Sequence, residues 1–184
     1  RLAIRLSMRL NHLILLPLLA LAACVPSKPE PVPQPKPQPV PPPVVVAPQP
    51  VRPAGDWIDW PIEPGTWVYR TDTRGSVALF GPAGANATVT LRCDKARARI
   101  FLSVSGISQS GALTVRTSST MKSFAASQAS TEPPYVATEL MPRDPILDAI
   151  AYSRGRFAIE IAGLRPMAIP NWAEIDRVIE DCRS

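Results

Sequence analysis

The sequence predicts a mainly β domain, an antiparallel sandwich or small barrel with two short C-terminal helices, and an α+β arrangement as the fallback. Three observations lead to this fold class. Six short segments between residues 66 and 127 alternate apolar and polar side chains with a period of two. Glycine, proline and aspartate separate these segments as turns, and helical patterns appear only after residue 144. One apolar face per strand is what two packed sheets require.

The N-terminal residues are typical of an export signal. Residues 13–21 form an apolar run, and Arg9 supplies a positive charge before it. A membrane-spanning helix needs about 20 apolar residues, so this run is too short to be one. We therefore expect residues 1–23 to be a signal peptide whose natural start is Met8.

The end of this signal, Leu21-Ala22-Ala23-Cys24, resembles the lipobox of bacterial lipoproteins. In that family the cysteine is joined to a diacylglycerol and becomes the acylated N-terminus of the mature protein. The resemblance implies that Cys24 is lipidated and that the lipid anchors the protein in a membrane. Because Val25 and not aspartate follows the cysteine, it also implies delivery to the periplasmic face of the outer membrane. An ordinary secretory signal is the alternative.

A proline-rich spacer occupies residues 24–55 and separates the signal from a domain of residues 56–184. Of the 23 prolines, 13 lie between residues 26 and 53, and this density excludes both helix and sheet. We expect a polyproline II spacer that reaches about 90 Å at about 3.1 Å per residue. A ligand for a proline-reading domain is the alternative. Trp57 and Trp60, at the end of the spacer, are expected to tuck against the domain; docking of a partner is the other interpretation.

The domain begins with six predicted strands, which we place at residues 66–71, 76–80, 87–93, 99–104, 112–117 and 121–127. In the third strand Val89, Leu91 and Cys93 share one face. In the fourth, the inward residues are expected to be Ile100, Leu102 and Val104.

Two helices and one more strand complete the domain. Asp144 followed by Pro145 predicts a capped helix over residues 146–153, and a strand follows at 156–161. Asn171 is predicted to cap a last helix that ends near residue 182, with Glu174 completing a capping box. The apolar stripe of that helix is expected to contain Trp172, Ile175, Val178 and Ile179.

Two cysteines remain in the mature chain once Cys24 is lipidated. Cys93 points inward with Leu91, and Cys182 follows Ile179 on the stripe that packs onto the core. Exported proteins meet an oxidising compartment, where paired cysteines are the default. We therefore predict a disulfide between Cys93 and Cys182, with two unpaired buried thiols as the alternative.

Three short motifs resemble small exported β domains, namely the invasion-associated locus B family and the VasI accessory proteins of type VI secretion. The motifs are Thr66-Trp67-Val68-Tyr69, Leu91-Arg92-Cys93 and Asp181-Cys182-Arg183. The resemblance covers residues 65–183, apart from residues 132–145, which it does not match. It implies an exported β domain with a terminal disulfide.

Charge and histidine content exclude several function classes. The net charge is +5, but residues 56–184 hold 14 basic and 14 acidic side chains, so no nucleic-acid partner is expected. The single histidine, His12, lies in the predicted signal, which excludes histidine-based catalysis and metal binding from the mature chain. No glycine-rich nucleotide motif occurs, and we expect neither a metal nor a cofactor.

We also expect no enzymatic activity. Ser119-Thr120-Met121-Lys122 matches the SxxK string of β-lactamases, but it falls between two predicted strands and does not open a helix. A peptidoglycan hydrolase that works through two carboxylates stays the alternative. The acidic side chains available for it, none paired by spacing, are Asp72, Asp94, Glu132, Glu139, Asp144 and Glu160.

A basic surface is the remaining candidate site. Four arginines and one phenylalanine are predicted to face outward on successive strands: Arg92, Arg97, Arg99, Arg116 and Phe101. Forked guanidinium donors suit the phosphates or carboxylates of lipopolysaccharide, peptidoglycan or an acidic envelope protein. The alternative is a solvated face balanced by Asp94 and Thr90.

These patterns predict an outer-membrane-anchored periplasmic lipoprotein. Its expected role is non-enzymatic binding or scaffolding in the cell envelope, with secretion as a candidate process. Besides the carboxylate hydrolase, a lysozyme inhibitor is the remaining alternative.

Overall fold

Alternating side chains build ten strands in the part of the chain that the computed structural model describes, residues 50–109 and 111–184. The predicted signal, Cys24 and the spacer up to residue 49 lie outside the described residues. In chain order the strands are β1 (Thr66–Asp72), β2 (Gly75–Gly81), β3 (Val89–Asp94), β4 (Arg99–Ser105), β5 (Ala112–Arg116), β6 (Met121–Ala125), β7 (Ser127–Thr131), β8 (Pro134–Leu140), β9 (Phe157–Ile161) and β10 (Met167–Ile169).

These strands form two antiparallel sheets. The larger sheet has the order β1-β2-β3-β4-β8-β7, and the smaller has the order β10-β9-β5-β6. Within the described residues neither sheet closes into a barrel, so the predicted mainly β fold is confirmed in its sandwich-like form. The inward residues predicted for β3 and β4 are all buried in one core, which both sheets and both helices share.

Two helices pack onto this core. Helix α1 (Pro145–Ala151) begins as predicted, because the Asp144 carboxylate accepts a hydrogen bond from the Ile146 amide at 3.0 Å. Helix α2 (Ala173–Arg183) buries Ile175, Val178 and Ile179 against β1–β4. Neither helix of the described ranges has the length and hydrophobicity to cross a membrane.

The predicted start of α2 is wrong. The N-cap residue is Trp172, no side chain caps the helix, and the Trp172 side chain is 44% exposed. The Asn171 amide instead donates to the carbonyls of Ala151 (3.0 Å) and Ser153 (2.6 Å). Asn171 thus donates hydrogen bonds to carbonyls at the end of α1, where a helix leaves acceptors without a partner.

Three strands differ from the prediction. Residues 121–127 do not form one strand, because the chain leaves the smaller sheet after Ala125 and enters the larger sheet as β7. The unmatched residues 132–145 contain β8, which pairs with β4 on one side and β7 on the other. β10 is only three residues long and was not predicted.

The disulfide between Cys93 and Cys182 is present, with the Cα atoms 5.4 Å apart. Cys93 comes from the inner face of β3 and Cys182 from the last turn of α2. The bridge therefore ties the last helix to the larger sheet, as the two apolar patterns predicted.

The end of the spacer lies on the outer face of the smaller sheet. A single 3-10 turn (Trp57–Asp59) precedes Trp60, which is 2% exposed and packs on Ala158 and Ala168. Arg52 forms an ion pair with Glu160 of the same face. The prediction that Trp57 and Trp60 tuck against the domain is confirmed, since Trp57 is half-buried and packs on the same cluster.

Candidate binding groove

Four of the five predicted surface residues meet on the outer face of the larger sheet. Arg92 of β3 lies directly opposite Phe101 of β4, and Arg99 is paired with Asp94 two residues further along the ladder. The Arg97 guanidinium lies 4.8 Å from the centre of the Phe101 ring. Phe101 is half-buried and not fully exposed, because this arginine covers it.

Arg116 does not belong to this cluster. It lies on β5, which pairs with β6 and β9 in the other sheet, and its guanidinium forms an ion pair with Glu160. The arginines were expected on one surface of successive strands, but the chain changes sheets between β4 and β5. Arg116 therefore lies near the end of the spacer and not in the basic surface.

A row of uncharged side chains crosses all six strands of the larger sheet. Register pairs join its members from β1 through to β7: Val68, Leu79, Thr90, Ser103, Ala137 and Ser127. Side chains of paired residues point to the same side of a sheet. Because Thr90 and Leu91 alternate in burial, this row faces outward.

The neighbouring row on the same face carries charge. It runs from Arg70 through Val77, Arg92 and Phe101 to Glu139, again by direct register pairs. Long guanidinium side chains on this row stand beside the short side chains of the uncharged row. The charged row therefore forms a wall, and the uncharged row forms a floor beside it.

Three adjoining depressions lie over this face. Their volumes are about 580, 540 and 260 Å³. The first and second share Leu79 and Tyr135, and the first and third share Phe101 and Ala137. We call the continuous depression the arginine groove; its wall is Arg70, Arg92, Arg97 and Phe101, and its floor is Leu79, Thr90, Ser103 and Ala137.

Carboxylates neutralise part of the wall. Arg92 pairs with Asp72 at 2.7 Å, and Glu139 is shared by Arg97 (3.0 Å) and Arg99 (2.8 Å). The positive charge of the arginines is balanced by these acidic side chains and by Asp94. Thr90 does not contribute, since its side chain has no partner in the described residues.

The ion pairs also lower the pKa values of two acidic groups. The hydrogen bond from Arg92 lowers the pKa of Asp72 below its ordinary value. The hydrogen bond from Arg74 lowers the pKa of Asp94 in the same way, against the effect of burial. Both carboxylates are therefore ionised at neutral pH.

Positive charge remains in excess along the groove. Five arginines at the groove face three carboxylates: Arg70, Arg74, Arg92, Arg97 and Arg99 against Asp72, Asp94 and Glu139. Arg70 has no ion pair in the described residues. Arg70 was not among the residues predicted for the basic surface, although its alternation with Tyr69 places it on the outward side of β1.

The other candidate chemistry is not assembled in the described chain. Lys122 of the SxxK string is bound to Asp144 at 2.8 Å, while the Ser119 hydroxyl lies 3.4 Å from that of Thr117. No group of three metal-ligating side chains occurs within residues 50–109 and 111–184.

Comparisons with protein-family models, with curated proteins and with solved structures found no significant match to this chain. The resemblance to exported β domains therefore stays a prediction from the short motifs.

Proposed function

We propose that this protein is an outer-membrane lipoprotein whose β domain binds an envelope component through the arginine groove. Its role is binding or scaffolding without catalysis. Cys24 carries the lipid, and the proline spacer holds the domain in the periplasm. An association with secretion rests on the short sequence motifs alone.

The observation that carries this proposal is the excess of arginine over carboxylate on a continuous, open groove. Surface ion pairs contribute little to stability, about 0–1 kcal/mol each. A cluster of arginines on one face of the larger sheet, of which Arg70 has no ion pair in the described residues, is thus poorly explained as a stability device. Guanidinium groups with free donors are suited to recognising anions.

The acidic side chains argue against the hydrolase alternative. A carboxylate hydrolase needs one carboxyl group with a raised pKa to act as the acid. The pKa values of Asp72 and Asp94 are instead lowered, because both carboxylates are bound by arginine. Glu139, Asp144 and Glu160 are also held in ion pairs, so that of the six candidates only Glu132 has none in the described residues. Burial and the charge of Glu180 raise the pKa of Asp176, but this residue lies on α2 and lines none of the depressions over the larger sheet.

The anchor is tested by the mature N-terminus. We expect mass spectrometry of the purified protein to find an acylated Cys24, and Cys24→Ala to move the protein from the membrane fraction to the soluble periplasm. An unmodified Cys24 in the mature wild-type protein would overturn the anchor.

The binding surface is tested by photo-crosslinking in the cell. A photoreactive residue at Thr90, on the groove floor, is expected to form adducts with an envelope component. The matched control is Ser123, an exposed residue on the outer face of the smaller sheet. Equal adduct yields at both positions would contradict the assignment of the groove.

A further inference from the structure

The wall of the arginine groove has unused hydrogen-bond donors. A guanidinium group has five N–H donors. Within the described residues Arg70 donates no hydrogen bond to another side chain, and Arg92 donates to a side chain only through Nη1, to Asp72. Asp72 is itself 42% exposed, so a ligand can reach this pair from solvent. Two guanidinium groups, on β1 and β3, are thus available to an incoming anion.

The floor of the groove has unused hydroxyl groups. Thr90 and Ser103 are paired in register at the centre of the larger sheet. Neither side chain makes a hydrogen bond within residues 50–109 and 111–184. A hydroxyl both donates and accepts, so the floor can bind a neutral, hydroxyl-rich or amide-rich ligand without charge.

The dimensions of the groove suit an extended ligand. The uncharged row from Val68 to Ser127, which includes the floor, crosses six strands, and five interstrand spacings of about 4.8 Å give a length of about 24 Å. The cations stand along one side only, on β1 and β3 and above Phe101 of β4. A matching ligand is a long hydrophilic chain that carries its anionic groups on one side.

The chemistry of the wall favours carboxylate over lipid phosphate. In the free protein Arg92 and Arg97 already bind carboxylates, those of Asp72 and Glu139, through one nitrogen each. A lipid phosphate brings acyl chains, which need an apolar cleft next to the cations. The floor has one large apolar side chain, Leu79, beside the short side chains of Thr90, Ser103 and Ala137, which is little apolar surface for an acyl chain.

We infer that the ligand of the arginine groove is a peptidoglycan strand, with its neutral glycan chain along the floor and the carboxylates of its stem peptides at Arg70 and Arg92. This inference rests on the proposed periplasmic location, because a domain held there meets this polymer. It deepens the proposed function by naming the ligand class.

The test is sedimentation of the full-length mature protein, in detergent, with purified sacculi from a Gram-negative bacterium. We expect the wild-type protein to pellet with sacculi and the binding to weaken as salt is raised. The double variant Arg70→Ala/Arg92→Ala should bind at least about tenfold more weakly, because two charge-assisted contacts are lost. Sacculi whose carboxylates have been converted to amides should fail to bind the wild-type protein.

The matched control is Arg143→Ala/Arg154→Ala, which removes the same charge from exposed arginines outside the groove. It should bind within about twofold of wild type, and both double variants should keep the wild-type urea midpoint. Equal loss in both variants would show a nonspecific charge effect and overturn the inference. So would absent sacculus binding, or a groove variant that loses only binding to lipopolysaccharide aggregates. Since the assay is done in detergent, its failure leaves the lipid anchor, tested at Cys24, unaffected.

Discussion

The side chains of Tyr69 and Asp181 join the edge strand β1 to the last helix. The Tyr69 hydroxyl donates to Asp181 Oδ2 at 2.6 Å, and the Arg177 guanidinium lies 4.1 Å from the centre of the tyrosine ring. Burial acts to raise the pKa of Asp181, but the hydrogen bond from Tyr69 and the charges of Lys95 and Arg177 bring it below its ordinary value. The same hydrogen bond raises the pKa of Tyr69.

Replacing Tyr69 by phenylalanine is expected to lower the free energy of unfolding by about 1–2 kcal/mol at neutral pH, because a hydrogen bond to an ionised acceptor is lost. Urea unfolding measures the change. Tyr152→Phe is the control, since Tyr152 is 83% exposed, and it should leave stability unchanged. Equal effects of the two variants would show that the Tyr69 contact contributes nothing specific.

The same pair has a defined dependence on pH. The pKa of Asp181 in the folded state lies below 3.8, its ordinary value. The contribution of ionised Asp181 to the free energy of unfolding is therefore present above that value and is lost as pH falls through the folded-state pKa. The stability difference between wild type and Tyr69→Phe should stay constant down to about pH 5 and narrow below about pH 4. A difference that widens on acidification would contradict this assignment.

At the scale of elements, β8 holds the larger sheet together beyond β4. Ala137 of β8 is paired with Ser103 of β4 and with Ser127 of β7, so this strand has neighbours on both sides. β7 is the edge strand, and its register shifts between Gln128 and Ser130. The ladder is thus continuous at β8 and interrupted by a bulge in β7.

Proline substitutions distinguish these two strands. Ala137→Pro should cost on the order of 3 kcal/mol or prevent folding, since proline removes a ladder donor from a central strand. Ala129→Pro, placed at the bulge of the edge strand, should be tolerated far better. Circular dichroism and urea midpoints of both variants test this. If Ala129→Pro proves the more damaging change, the assigned strand order is wrong.

At the scale of the whole molecule, the disulfide closes most of the domain into a loop. Cys93 and Cys182 are 89 residues apart in sequence. On the chain-entropy model such a link raises the free energy of unfolding by about 4–5 kcal/mol, because it restricts the unfolded chain.

Removal of the bridge should therefore lower stability by about that amount. The measurement is urea unfolding of the Cys93→Ala/Cys182→Ala variant beside wild-type protein with and without reductant. Reduced wild type should match the variant. A loss below about 1 kcal/mol in both would mean that the packing of α2 alone holds the helix in place.

The two outer faces of the domain differ in what covers them. Trp60 and Arg52 cover part of the smaller sheet, where they meet Ala158, Ala168 and Glu160. The outer face of the larger sheet carries no such cover among the described residues. The groove is therefore on the sheet that the spacer end does not occupy.

Local patterns alone determined the fold class, most strand positions and the disulfide. Alternation with a period of two shows which side chains share a face, as for Val89, Leu91 and Cys93, without knowledge of any partner strand. Helical spacing similarly placed Cys182 on the buried side of α2. Both signals are local, so a single sequence is enough to show them.

Only the tertiary structure decided which strands are neighbours and therefore which residues form the site. Arg116 was grouped with Arg92 because β3, β4 and β5 follow one another in sequence, yet β5 lies in the other sheet. The register of β1 with β2 places Arg70 at the groove, and β8 was recognised only through its pairing with β4. Strand pairing is a non-local hydrogen-bonding choice, made by whichever arrangement buries all the apolar faces together, and no local pattern records it.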